Sequence, residues 1–184
     1  RPILRDVSFR SGEPSNYMKP VNVGVIGLGT VGAGTVDVLA RNAPEIARRA
    51  GREITVTRAA VRDTSRPRAC DTSNISLTAD AFEVVTDTQI DVVLELMGGE
   101  DTAFDLVATA LEHGKHVVTA NKALIATRGN ELFAKASEAG LVVAFEAAVA
   151  GGIPVIKVLR ESLSGNRIDS LAGILNGTCN FILS

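Results

Sequence analysis

An apolar run that ends in a glycine triplet constrains this chain more than any other stretch: Val21-Asn22-Val23-Gly24-Val25-Ile26 leads into Gly27-Leu28-Gly29-Thr30-Val31-Gly32. Five apolar residues from Val21 to Leu28, interrupted only by Asn22, Gly24 and Gly27, suit a strand buried on both faces of a parallel sheet. Gly27, Gly29 and Gly32 stand at G-x-G-x-x-G spacing. In that spacing the first glycine serves a tight turn, the second a close backbone approach to a pyrophosphate, and the third close packing of helix on strand. Thr30 and the N–H groups after Gly29 would then face an anion at a helix N-terminus. Glycine is common in ordinary turns, so the triplet carries weight only if a strand precedes it and a helix follows.

The chain around it supplies both. Beyond Gly32, the positions Ala33, Thr35, Val36, Leu39 and Ala40 keep helical spacing, and the pattern resumes through Ile46 and Ala47 to a stop at Gly51. Pro44 marks a second helix start behind Asn42, a plausible cap. Residues 54–61 alternate β-branched side chains as a second strand ending in Arg62-Asp63. The end of the second strand is where such a fold meets the adenosine ribose, with an acid for a 2′-hydroxyl or an Arg for a 2′-phosphate. Arg62 favours NADP, and Asp63 keeps NAD possible. Residues 63–80 read as a polar connection, and the apolar pair Val84-Val85 precedes a stronger fourth strand over 91–97 that ends in Gly98-Gly99. Met97 and Gly98 would run beside the cofactor. Asp101 or Thr102 can cap a helix over 103–112, closed by His113-Gly114. A fifth strand over 116–119, a helix from Lys122 to Gly140 and a sixth strand over 141–145 complete an open, doubly wound parallel sheet of Rossmann type.

Composition narrows the partners. A net charge of −2 leaves no electrostatic footprint for nucleic acid, and no apolar stretch reaches the roughly 18 residues of a membrane span. Without a secretory leader in residues 1–20, which read as a polar extension, the cytoplasm is the expected compartment. Cys70 and Cys179 lie far apart without a partner motif, and His113 and His116 lack neighbours at metal spacing.

From Glu146 the character changes. Glu146-Ala147-Ala148-Val149-Ala150-Gly151-Gly152-Ile153-Pro154 is a small-residue turn, Pro154 opens a helix over 155–163, and residues 167–175 read as a strand stopping at Asn176-Gly177-Thr178. Lys122, Glu146 and the 176–178 loop all fall at C-terminal strand ends, where open α/β sheets place ligands. A Lys there offers a compact charge with three donors to a carboxylate, carbonyl or alcohol oxygen. Glu146 beside turn carbonyls could ligate a hard cation, or simply cap a helix.

Five blocks in order, Gly27–Gly32, Glu95–Gly99, Val118–Leu124, Phe145–Pro154 and Gly173–Thr178, resemble homoserine dehydrogenase. The resemblance covers residues 21–184 and implies interconversion of L-homoserine and L-aspartate 4-semialdehyde with NAD(P), in the threonine and methionine branch of amino-acid biosynthesis. It divides the chain into an extension (1–20), a Rossmann domain (21–150) and the start of a substrate domain (151–184). By position it puts Leu28, Gly29, Thr30 and Val31 on the pyrophosphate, Arg62 near the ribose, and Lys122 between nicotinamide and substrate. It puts Gly177 and Thr178 on homoserine. It also implies a monovalent cation, Na+ or K+, held by Glu146 with the main-chain oxygens of Val149, Gly151 and Ile153. Cys179 departs from the family, which usually has Thr or Ser there. In the family the bulk of the substrate and dimerisation domain, with the catalytic Asp and Lys of the proton relay, falls beyond the position of Ser184. The expectation is therefore a chain that binds dinucleotide without turnover, from a parent that is a homodimer or homotetramer. Two other readings are a dinucleotide-sensing module without chemistry and a related semialdehyde dehydrogenase, the latter needing a nucleophilic Cys with a His in reach.

Overall fold

The computed structural model describes residues 18–173. Strands β1 (Val21–Ile26), β2 (Ile54–Ala60), β3 (Ser76–Thr78), β4 (Val92–Glu95), β5 (His116–Thr119) and β6 (Val143–Ala144) form one sheet in the order β3-β2-β1-β4-β5-β6. Every pairing is parallel. This is the doubly wound Rossmann order, with its switch point between β1 and β4. Helices α1 (Thr30–Arg41), α2 (Ala43–Ala50), α3 (Phe82–Thr86), α4 (Asp101–Glu112), α5 (Lys122–Glu138) and the short α6 (Val155–Lys157) connect and flank the strands.

The period-two alternation of β1 divides the core between the two faces of the sheet. Val23 and Val25 join Ala33, Val36, Val56 and Cys70 under α1, whereas Ile26 joins Val84, Val93, Leu106, Leu124 and Leu132 under α3, α4 and α5. Gly24 faces that second side for a steric reason: a Cβ there would lie 2.5 Å from Val84 Cγ1. Leu106, Leu124 and Leu132 have no exposed surface, and each such burial contributes about 1.5–3 kcal/mol. Pro44 lies in the first turn of α2, and Gly51 ends that helix with φ 72°, as the sequence predicts, although Asn42 makes no side-chain cap bond.

Four further expectations are corrected. The third strand is Ser76–Thr78, inside the segment read as a polar connection, and Val84-Val85 lies in α3. Arg58 explains the placement, because its guanidinium binds Asp87 at 2.9 Å and Glu83 at 2.6 Å and so fastens α3 to β2. Residues 167–173 form no strand; Ile168 and Leu171 are exposed and no neighbouring strand offers a ladder among the described residues. Helix α4 starts behind Glu100, without a side-chain cap from Asp101 or Thr102. The helix expected over 155–163 is also irregular, passing from α6 into a π-helical turn at Val158–Ser162.

Candidate functional site

The glycine loop follows β1 at the switch point. Gly27 adopts φ 97° and donates its N–H to Ala60 O at 3.0 Å, which ties the turn to the end of β2. A Cβ on Gly27 would come within 3.0 Å of Leu96 O and Met97 Cα, and one on Gly32 would lie 2.0 Å from Gly27 O. Both positions exclude any other residue. Gly29 differs, since nothing stands within 4 Å of where its Cβ would be. Helix α1 opens there without a side-chain cap. The first N–H groups of a helix have no intrahelical partner, which fits a pyrophosphate approaching the backbone at Gly29. Leu28 is buried, whereas Thr30 and Val31 are exposed on the first turn.

At the end of β2, Arg62 is exposed. Asp63 is committed to the loop: its Oδ1 accepts the Ser65 hydroxyl at 2.7 Å and the Ser65 N–H at 2.9 Å. Those bonds, the hydroxyl first, hold its carboxyl below the usual range.

The loops after β4 and β5 are built on polar side chains that the interior encloses. Glu95 is fully buried. Its Oε1 accepts the N–H of Met97 at 3.1 Å and of Gly98 at 3.3 Å, and its Oε2 accepts the Thr119 hydroxyl at 2.6 Å. Thr119 Oγ1 in turn accepts the Asn121 N–H at 2.9 Å. Asn121 closes the circuit, donating Nδ2 to Gly99 O at 2.5 Å while its Oδ1 caps α5 by accepting the Leu124 N–H at 3.1 Å. Lys122 is the first residue of α5 and is exposed beside this network. The sequence alone does not mark Glu95 as a functional residue. Its signal was a charge inside the apolar fourth strand, since a buried charge demands partners.

Glu146 opens a 3₁₀ turn after β6 and caps α6, its Oε1 accepting the Ile156 N–H at 3.0 Å and its Oε2 the Lys157 N–H at 2.8 Å. A carboxylate retains further lone pairs beside such bonds, so this cap and a cation are compatible. Ala150 and Gly151 take φ 55° and 59°, which curls the chain carrying the Val149, Gly151 and Ile153 carbonyls. No group of three His, Cys, Asp or Glu side chains suits a metal among the described residues. Gly177 and Thr178, expected on the substrate, lie outside the described residues, as does Ser184, the position beyond which the proton relay is expected.

A cavity of about 480 Å³ sits at the opposite, N-terminal end of the strands, with Lys19, Arg52, Asp91, His113, Lys115 and His116 in its wall. Its charged groups are held by structural bonds: Lys115 Nζ donates to Asp87 O and Ile90 O, and Lys19 pairs with Asp91. It lacks the glycine loop and the switch point, which makes the C-terminal edge the candidate site.

Comparison with known proteins bears on that edge directly. The family model described as the homoserine dehydrogenase NAD binding domain matches residues 27–146, and a second, described as homoserine dehydrogenase, matches residues 154–184. The chain belongs to the homoserine dehydrogenase family. The homoserine dehydrogenase of Pseudomonas aeruginosa is 66% identical over 168 residues, covering 91% of this chain and 38% of that protein. The crystal structure of a homoserine dehydrogenase from Thiobacillus denitrificans matches with a TM-score of 0.84 at 60% identity, over 90% of this chain and 38% of that one. A hyperthermophilic archaeal homoserine dehydrogenase solved in complex with NADPH matches with a TM-score of 0.63 at 25% identity, over 79% of this chain and 50% of that one. This chain therefore spans 38% of the length of its Pseudomonas relative. No helix among the described residues is long and apolar enough to cross a membrane.

Proposed function

We propose that residues 21–150 are the dinucleotide-binding domain, and residues 151–184 the start of the substrate domain, of a homoserine dehydrogenase that interconverts L-homoserine and L-aspartate 4-semialdehyde. The observation that carries this reading is the pairing, on one sheet edge, of an open glycine loop at the switch point with a second pair of loops that presents Lys122. The dinucleotide supplies the hydride acceptor or donor. The chain supplies the cradle: Gly27, Gly29 and Gly32 with Leu28, Thr30 and Val31 hold the pyrophosphate, and Met97 and Gly98 line the nicotinamide side. Lys122 stands between cofactor and substrate, where its ammonium holds and polarises the substrate oxygen that changes between alcohol and aldehyde. Gly177 and Thr178 contact homoserine, and Glu146 with the Val149, Gly151 and Ile153 carbonyls holds Na+ or K+. The parent is a cytoplasmic homodimer or homotetramer.

Arg62 makes NADP the preferred cofactor, with NAD as the alternative. Its support is the commitment of Asp63 to Ser65, which leaves the carboxylate at this corner occupied while the guanidinium stays exposed. A 2′-phosphate suits the fork of an Arg. The semialdehyde dehydrogenase reading loses support, because Cys70 is buried and that burial pushes its thiol up, away from the thiolate a nucleophile requires. Calorimetric titration of the chain with NADP+ and NAD+, repeated on Arg62→Ala, tests the assignment. The expected result is NADP+ binding that Arg62→Ala weakens about tenfold with NAD+ binding unchanged. Absence of binding by either dinucleotide would refute the cofactor reading, and loss of NAD+ binding alone would refute the role of Arg62.

A further inference from the structure

Resting on the cofactor reading above, we propose that Glu95, Thr119 and Asn121 are positioning residues for the nicotinamide half of the dinucleotide. Each acts from inside the protein on the loops that face it, and none of the three needs to touch the cofactor. A doubly wound sheet binds one half of a dinucleotide over each of its two mononucleotide units. The unit built on β1 to β3 carries the glycine loop and Arg62; the unit built on β4 to β6 carries the loops at residues 96–99 and 120–122. The first loop holds its shape by close backbone packing at Gly27 and Gly32 and by the main-chain bond from Gly27 to Ala60, without a side-chain hydrogen bond among the described contacts. The second pair has no comparable clash to define it, since a Cβ on Gly98 or Gly99 would meet nothing within 4 Å. Gly98 and Gly99 sit at φ 77° and 86°, consecutive left-handed residues in a loop that backbone preference leaves free to take other shapes.

The hydrogen bonds supply what sterics does not. Glu95 takes two consecutive N–H groups, those of Met97 and Gly98, on one oxygen. Asn121 then holds the next residue, Gly99, from the other side by its carbonyl. Thr119 joins the two holders, donating to Glu95 and accepting from the Asn121 N–H. The Met97 N–H, the Gly98 N–H and the Thr119 hydroxyl all donate to Glu95, so the site asks for an acceptor on both oxygens, which a carboxylate provides and an amide does not. Because the same Asn121 side chain caps α5, the circuit also fixes where Lys122 begins that helix. A charge with no exposed surface carries a desolvation cost, and three donors spanning two cofactor-side loops are what that charge brings in return.

Two substitutions separate positioning from folding. Glu95→Gln keeps the shape but puts an NH2 group where an acceptor is needed. Asn121→Ser keeps a capping oxygen for α5 while removing the amide that reaches Gly99 O. Each variant, with the wild-type chain, is titrated with NADPH and with adenosine 2′,5′-bisphosphate, which lacks the nicotinamide mononucleotide, and with NADH and AMP as the pair without the 2′-phosphate. Leu132→Ala serves as a control that destabilises the core away from the site. The expected result is a loss of about five- to tenfold in dinucleotide affinity in both variants, with the fragment affinities and the Leu132→Ala ratio unchanged. Equal weakening of dinucleotide and fragment would show a structural role only and overturn the proposal. A wild-type chain that binds the fragments but gains nothing from the nicotinamide half would overturn it while leaving the glycine loop's assignment intact. A wild-type chain that binds neither refutes the cofactor reading and the positioning role together.

Discussion

The two halves of the candidate site hold their loops by different physics. After β1 the backbone is shaped by what cannot fit: a Cβ on Gly27 or Gly32 would run first into main-chain atoms. After β4 and β5 the backbone is shaped by what must be paired, through Glu95, Thr119 and Asn121. A steric loop fails as soon as one methyl group is added. A hydrogen-bonded loop fails by degrees, as each donor or acceptor is lost.

The largest effect should come from the steric half. Gly32→Ala places a Cβ 2.0 Å from Gly27 O, and because the obstacle is backbone, strand and helix must move apart. The expected cost exceeds about 3 kcal/mol, read as a lowered denaturation midpoint. Gly29→Ala has no obstacle and should change stability by less than about 0.5 kcal/mol while cutting dinucleotide affinity at least about tenfold. Unchanged affinity in Gly29→Ala would break the idea that backbone meets ligand there.

Next comes the polar half. Glu95→Ala leaves the buried Thr119 hydroxyl and the half-buried Met97 and Gly98 N–H groups without their acceptor, at a cost of about 2 kcal/mol. Thermal melts of this variant should fall well below those of Arg62→Ala, which removes only an exposed side chain. If the two melt together, solvent reaches the Glu95 site and the network is not closed.

This difference in physics also decides what the sequence reveals. A steric loop leaves a spacing, so the glycine triplet and both flanking elements are legible in the chain. A hydrogen-bonded loop leaves no spacing: Glu95, Thr119 and Asn121 are 24 and two residues apart and meet only because β4 and β5 are neighbours. The same holds for β3, whose residues Ser76–Thr78 carry little apolar pattern and become a strand by pairing with β2. Residues 167–173 fail in reverse, having the apolar pattern of a strand without a partner to pair with. Periodicity reports local compatibility, and pairing is a tertiary fact.

Lys115 tests whether burial of charge alone marks function. Lys115 is as deeply enclosed as Glu95, with 2% of its surface exposed, but lies at the far end of the strands, where its ammonium holds the Asp87 and Ile90 carbonyls. Burial lowers its pKa from the ordinary 10.5, with Asp87 and Asp91 opposing. In the window from that lowered value up to 10.5, the unfolded chain holds a proton the folded chain has released, so stability rises with pH there. Below the window the folded chain bears the full cost of the buried charge. Subtracting the urea midpoints of Lys115→Met from those of wild type across alkaline pH should isolate this rise. Dinucleotide affinity should not change in the variant, and a loss would mean that the two ends of the sheet are coupled.

The smallest effect belongs to α2, which lengthens the crossover between β1 and β2 and packs on α1 and β2. Glu45 Oε1 accepts from Arg48 and from Arg49 at 2.7 Å each. Arg48 first and Arg49 second draw its carboxyl from 4.5 down to about 2. A carboxyl lowered on folding stabilises the fold above its unfolded value, and that contribution is lost as pH falls from 4.5 through about 2. The group is at the surface, so salt screens it and its contribution to global stability is small. Glu45→Gln should therefore shift the acid transition slightly at low salt and not at all at high salt, with the cofactor affinities of both halves unaltered. A shift that survives high salt would mean that α2 is packed more closely on the glycine loop than its exposed face indicates, and that the steric half of the site extends into the crossover.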